Sequence, residues 1–251
     1  LFPRWAAAQL PVKYTQGTLH GFLVLRTTDG QAIADGDLTE AARGDRVTTH
    51  LVLRFKDGSL NDETTIFSQR RNFALISDHL VQKGPQFKHP MDVSVNRSLG
   101  QVTVRYMDDG GHEKTLTDHL KLPSDLANGI VPILLQNIRP NVPETTVSMV
   151  VATPKPRVVK LVITPRGEDP VSIGTSSRKA MHYVVKVDIG GAVGLVAPLV
   201  GKQPPDTNMW VFEGETPVFL RSEGPLYEGG PIWQIEQTSP VWPQTSAKNS
   251  Q

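Results

Sequence analysis

Apolar and polar residues alternate with a period of two along most of this chain. Val47, Thr49, Leu51, Leu53 and Phe55 fall on one face of an extended strand, and Thr48, His50, Val52 and Arg54 on the other. The same alternation runs through Val102–Tyr106, Val147–Val151, Val159–Ile163 and Met181–Ile189. These runs are rich in β-branched residues, which suit a pleated, half-buried surface. Asp-Gly pairs punctuate them at Asp29-Gly30, Asp35-Gly36, Asp57-Gly58 and Asp109-Gly110, each offering a positive φ at small steric cost. Asp57-Gly58 reads as the bend between strands Thr48–Phe55 and Thr64–Phe67. The run at 108–111 reads as the bend between Val102–Tyr106 and His112–Thr117. Strands joined by short turns at regular spacing predict an antiparallel sheet and argue against βαβ units.

One stretch departs from this pattern. Ser124–Ile138 carries Leu126, Ile130, Ile133, Leu134 and Ile138 at helical spacing, with Ser124 placed as N-cap and Asp125 in the first turn. Ala127, Val131 and Leu135 make it apolar nearly all round, the signature of a buried helix. Pro132 predicts a kink and Gly129 a weak point. The expected fold is mainly β: a strongly curved antiparallel sheet, or incompletely closed barrel, wrapped around one apolar helix at about 124–138. A single β-rich domain is expected over 15–243. It follows an N-terminal segment at 1–14, read as a signal-peptide remnant or disordered, and precedes a polar, disordered tail at 244–251. A split into two smaller β-units near residue 140 is the alternative.

Composition narrows the function classes. The 251 residues carry 26 Lys and Arg against 25 Asp and Glu, a net charge of +1, and no cysteine. Near-neutrality gives no support to a nucleic-acid surface. The absence of thiols excludes disulfides, thiolate metal sites and a cysteine nucleophile from this sequence. Gly and Pro are abundant, at 21 and 20 residues, in keeping with many turns. No run approaches the length of apolar sequence that a membrane-spanning helix needs. The small-residue run Ala6–Ala8 fits the end of a signal peptide, and an ordinary N-terminus fits equally.

The chemical motifs fail individually. Gly201-Lys202 lacks the remaining residues of a phosphate-binding loop, and Gly190-Gly191-Ala-Val-Gly194 lacks the dinucleotide fingerprint, reading instead as a bulge. Gly174-Thr-Ser-Ser-Arg178 is a hydroxyl-rich loop without a nucleophile elbow. Asp57–Glu63 has oxygen ligands in the wrong order for a calcium loop and reads as a solvated turn. His112-Glu113 and His119 are too far apart for ligands on one helix face. Asp78 and His79 are neighbours, which a strand sends to opposite faces. No catalytic residue, metal site or cofactor is expected.

The C-terminal third is aromatic: Trp210, Phe212, Phe219, Tyr227, Trp233 and Trp242, with a Gly- and Pro-rich loop at Glu223–Pro231. Such loops often line sites, although these aromatics equally suit closing a core. The order of elements carries a resemblance: antiparallel strands, one apolar stretch after Lys121-Leu-Pro-Ser-Asp125, further strands, then Met209-Trp-Val-Phe and Pro217-Val-Phe-Leu-Arg221. Over residues 15 to 236 it resembles uncharacterised bacterial envelope proteins of a domain-of-unknown-function type related to the lipoprotein-carrier (LolA/LolB-like) fold. The resemblance implies periplasmic or secreted residence and binding of something apolar in the barrel mouth.

Three functions stand as expectations. The first is a non-catalytic envelope protein that binds a hydrophobic or amphipathic ligand, a lipid or a lipoprotein-like molecule, with Trp210, Tyr227 and Trp233 as wall residues. The second is a structural or interaction domain with a filled barrel and an envelope protein as partner. The third is a hydrolase drawing on Asp78, His79, His112, Asp118 and His119.

Overall fold

The computed structural model describes residues 9–108, 110–139, 141–151, 153–173, 176–189 and 203–238. The first eight strands are β1 (Leu19–Thr27), β2 (Ala32–Arg43), β3 (Arg46–Phe55), β4 (Leu60–Ser68), β5 (Ala74–Lys83), β6 (Met91–Asn96), β7 (Gln101–Met107) and β8 (Glu113–His119). A five-residue helix, α1 (Val131–Leu135), comes next. The chain then continues through β9 (Thr145–Val151), β10 (Arg157–Ile173), β11 (Ser176–Asp188), β12 (Thr207–Phe212), β13 (Val218–Gly224) and β14 (Trp233–Thr238).

All fourteen strands form one sheet, in the order β8-β7-β6-β5-β4-β3-β2-β1-β14-β13-β12-β11-β10-β9. Each neighbouring pair is antiparallel. The pairing of β1 with β14, Phe22 opposite Thr238, joins the two halves of the chain. The expected antiparallel, incompletely closed architecture is borne out, because β8 and β9 are edges that do not pair with each other. Hairpin β3–β4 turns at Asp57-Gly58 as the spacing predicts, with Gly58 at φ 87° and the Asp57 carboxylate accepting from the Ser59 N–H at 2.9 Å.

A sheet this wide must curl, because every strand adds to the twist. The curl overshoots closure. Val150 of β9 and Val158 of β10 pack with Leu75, Val93, Val95, Val102 and Val104 of β5, β6 and β7, with Leu126 between them. The opposite face of β9 sends Val147 into a second cluster with Val47, Phe67, Leu161, Ile163, Tyr183 and Val185. Period-two alternation therefore buries both faces of β9: the far end of the sheet is tucked beneath β5–β7.

The stretch 124–138 differs from expectation. The long helix is not formed; α1 covers only Val131–Leu135, with Pro132 in its first turn, where a missing N–H costs nothing. Ser124 is no cap. The N-terminal half instead bonds the open edge of β9. Ala127 N–H donates to the Ser148 carbonyl at 2.8 Å, Ser148 N–H to the Asp125 carbonyl at 3.1 Å, and Val150 N–H to Asn128 Oδ1 at 2.9 Å. The Asp125 carboxylate accepts from Ser148 Oγ at 2.8 Å and Lys160 Nζ at 3.3 Å. An exposed edge in need of partners outweighs helical propensity here. The segment is still apolar filling: Ala127, Ile130, Ile133, Leu134, Leu135 and Ile138 are buried against strands from both halves. Ahead of the sheet, residues 10–16 are tied down, with Asn137 Oδ1 accepting from the N–H groups of Lys13 and Tyr14.

Asp35-Gly36 also departs from expectation. It lies inside β2, not at a turn, because a Cβ at Gly36 would come within 2.6 Å of Leu53 Cδ2. Glycine there admits the neighbouring leucines.

Gly129 is the tightest joint between the filling segment and the sheet. It sits at φ +66°, and a Cβ on it would lie 1.9 Å from Thr65 Oγ1 and 3.1 Å from Asp78 Oδ1. Gly129→Ala is expected to destabilise by roughly 2 kcal/mol or more. Gly44→Ala, at φ +59° but facing open space, should cost only about 1 kcal/mol. Urea midpoints distinguish them; equal losses would mean that the close approach at Gly129 does not govern packing.

Candidate functional site

The cross-strand register places three carboxyl groups on the inner face. One row reads Glu40, Thr49, Thr65, Asp78 across β2 to β5; the next reads Leu38, Leu51, Glu63, Leu80. Glu63 precedes Thr65 by two residues and so shares its face. Glu63 belongs to β4, which starts at Leu60, so the solvated turn expected over Asp57–Glu63 ends by Ser59.

These groups border two cavities of about 280 Å³ each. The first has Leu23, Leu38, Leu51, Ile133, Phe219 and Ile235 among its walls, with Glu40 and Glu63. Leu19 and Val218 also border it, and both are surface-exposed, at 42% and 37%. The second has Val93, Val151, Val159, Leu161, Val187 and Met209 in its walls, with Glu63, Asp78, Arg157 and Glu228. Glu63 and Gly129 border both. The walls are thus mainly apolar, with neutral polar side chains such as Gln16, Gln136, Ser222 and Gln237 also bordering the first, and with a short acidic seam where the two spaces approach each other.

The seam is poorly compensated. Asp78 accepts from Thr65 Oγ1 at 2.7 Å. Glu40 is only 5% exposed, and neither it nor Glu63 makes a side-chain hydrogen bond or ion pair among the described residues. Every fully enclosed side-chain N or O among the described residues does have a partner, so the unbonded carboxyl oxygens of these two residues are not fully enclosed, and both residues border cavity space. Burial pushes the Glu40 carboxyl up to about 7. Burial, and then the charge of Asp78, raises Glu63; burial raises Asp78, against the pull of Thr65 and His79. Asp125 shows the contrast: it is as deeply buried, yet Ser148 and Lys160 satisfy it. Among the described residues no three His, Asp or Glu side chains are arranged to hold a metal ion.

Of the three aromatic residues singled out in the sequence, Tyr227 and Trp233 are brought together and Trp210 lies apart. Trp210 is on the outer face, stacked on His182 with ring centres 4.7 Å apart, under the Arg221 guanidinium at 4.0 Å, and donating from Nε1 to Asp169 at 3.0 Å. Trp233 belongs to a packed aromatic group with Phe55, Phe87 and Tyr227. Neither tryptophan borders the two cavities. Tyr227 does border the second, and its hydroxyl donates to the Gln86 carbonyl at 3.0 Å. The acid–base pool is scattered as well. Asp78 points inward, while His79 faces outward to Asp92 at 2.9 Å. His112 lies beside Asp108 at a hairpin end, and Asp118 and His119 are on edge strand β8. The glycine runs at 174 and 190–194, Gly201-Lys202, Trp242, Ala6–Ala8 and the tail at 244–251 lie outside the described residues.

Glu40 and Glu63 are residues that the sequence reading missed. Local pattern offers little signal: Glu40 shares its strand phase with Ala34, Gly36, Leu38 and Ala42, whereas Glu63 stands between Asn61 and Thr65 on a phase that is itself polar. The raised carboxyls make stability pH-dependent. Below about 4.5 Glu40 is protonated in both folded and unfolded chains. Between 4.5 and about 7 the unfolded chain releases the proton that the folded one keeps, so stability falls as pH rises through that window. Glu40→Gln is expected to recover up to about 3 kcal/mol at pH 8 and little at pH 4. Urea unfolding at both pH values checks this; an equal effect at both would contradict the burial of an uncompensated carboxyl.

No protein-family model matches the chain, and no curated protein matches it. Among solved structures, the chain is similar to the crystal structure of a beta-barrel-like protein of domain of unknown function DUF1849 from Brucella abortus, at 10% sequence identity and a TM-score of 0.46, over 94% of this chain and 100% of that one.

Proposed function

We propose that the protein is a non-catalytic binder of a hydrophobic or amphipathic ligand, held inside the curled sheet and acting in the cell envelope. The observation that carries this reading is the pair of aliphatic-walled cavities on the inner face, the first bordered by the exposed apolar side chains of Leu19 and Val218. Cavities of this kind, apolar with a few convergent polar groups, are the usual form of small-ligand sites, and their volumes of about 280 Å³ each fall just below the usual range of roughly 300–1,000 Å³. Scattering of the acid–base residues argues for binding over hydrolysis. The envelope setting rests on the sequence resemblance to lipoprotein-carrier proteins. No helix among the described residues is long and apolar enough to cross a membrane.

A second reading, a filled structural or interaction domain, draws on the packing of 126–138 into the core. Native mass spectrometry of freshly purified protein separates the two. The binding reading expects a co-purifying mass that is lost on denaturation and recovered as a lipid after organic extraction. It also expects Leu51→Trp, which fills the first cavity from one wall, to lower occupancy at least about fivefold while the protein stays folded. A clean apo mass, unchanged after incubation with lipid extract, would favour the filled domain.

A further inference from the structure

The acidic seam carries a more specific statement about the ligand, one that rests on the binding reading above. The interior holds carboxyl oxygens without donors to meet them. Thr65 already donates to Asp78, and Thr49 is directed to the Thr65 carbonyl. Gln82, further along the same face, donates to Asn61 Oδ1 and the Leu226 carbonyl. No Lys, Arg or His among the described residues forms an ion pair with Glu40, Glu63 or Asp78. Arg157 borders the second cavity, but its side chain is exposed. Elsewhere the chain does supply a buried carboxylate with a lysine and a hydroxyl, at Asp125. Among the described residues the seam therefore lacks a cation of the chain's own, and the neutral donors that also border the first cavity, Gln16, Gln136, Ser222 and Gln237, make no hydrogen bond to Glu40 or Glu63.

A buried carboxylate is stable when a cation and its N–H groups meet it. An alkylammonium brings three donors and no acceptor, and its alkyl chain suits the aliphatic walls. A carboxylate or phosphate headgroup would meet like charge. We propose that the cavity bordered by Glu40 and Glu63 takes an amphiphile whose polar end is a protonated amine, placed against the carboxyl oxygens, with its apolar chain along Leu23, Leu38, Leu51 and Ile235.

The test compares three probes of one chain length on the whole protein at pH 7.5, below their micellar concentrations: dodecylamine, dodecanol and dodecanoate, by displacement of a neutral fluorescent dye. Dodecylamine is expected to bind at least about tenfold more tightly than dodecanol, and dodecanoate more weakly than either. The Glu40→Gln, Glu63→Gln double variant should keep less than about a threefold preference for the amine over dodecanol. Both substitutions remove buried charge, so the variant is expected to fold, and a thermal melt verifies it; Glu63→Gln alone is the fallback and should lose most of the preference. Dodecanol binding with no amine preference, or a preference that survives the double variant, overturns the headgroup assignment and leaves the binding reading intact. If no probe binds, the binding reading itself fails.

Discussion

A fourteen-stranded antiparallel ladder twists, and the accumulated twist brings its two ends toward each other. In this protein they meet face to face, not edge to edge. The inner face of β5–β7 lies on the outer face of β9–β10 with Leu126 in the seam. The layout of the interior depends on that overlap. It leaves β9 with apolar residues on both sides, and it requires something to satisfy the open edge of β9. The segment Asp125–Asn128 does so through backbone bonds to Ser148 and through the Asn128 side-chain amide, which bonds the Val150 N–H and carbonyl. The same segment then runs on into the concave interior as apolar filling, but not enough of it to fill the space. The two residual cavities are the product of a sheet too wide for its plug.

The polar groups inside that interior obey two regimes. Asp125, Ser148 and Lys160 form a closed set in which each partner is supplied by the chain, and they pin the plug to the sheet. Glu40 and Glu63 have no such set, and the protein holds them at the cost of raised proton affinity. A buried group without a partner lowers stability, and natural chains accept that cost chiefly where a site benefits from it. Apolar walls, an unsatisfied acceptor seam and an exposed apolar rim are the features on which the proposed ligand space rests.

The overall architecture could be read from period-two alternation, because one face of most strands is buried and Asp-Gly bends mark some of the turns between them. Hairpin β3–β4 was legible from Asp57-Gly58 alone. The reading failed where tertiary partners overrode local preference. Residues 124–138 have helical periodicity, yet the edge of β9 offered Asp125–Asn128 a ladder, and Gly129 at positive φ ended any continuity with α1. Asp35-Gly36 has turn chemistry, yet the glycine serves close contact with Leu53. The site was harder still. Aromatic density points to Trp210, Tyr227 and Trp233; Trp210 packs on the outer face and Trp233 in an aromatic core, while Tyr227 borders the second cavity. The informative residues were Glu40 and Glu63, whose meaning depends on register across β2, β3, β4 and β5, a long-range property that no local pattern contains.

The most direct test is the ionisation of the interior carboxyls themselves. Carbon-13 NMR of the glutamate side-chain carboxyls, followed from pH 3 to pH 9 and assigned by difference against Glu40→Gln and Glu63→Gln, reads it without reference to any ligand. A Glu40 midpoint of about 7 is expected, with a Glu63 midpoint also far above the ordinary glutamate range. If both resonances titrate with the exposed glutamates near 4.3, the interior is solvated or neutralised, and the uncompensated acidic seam does not exist.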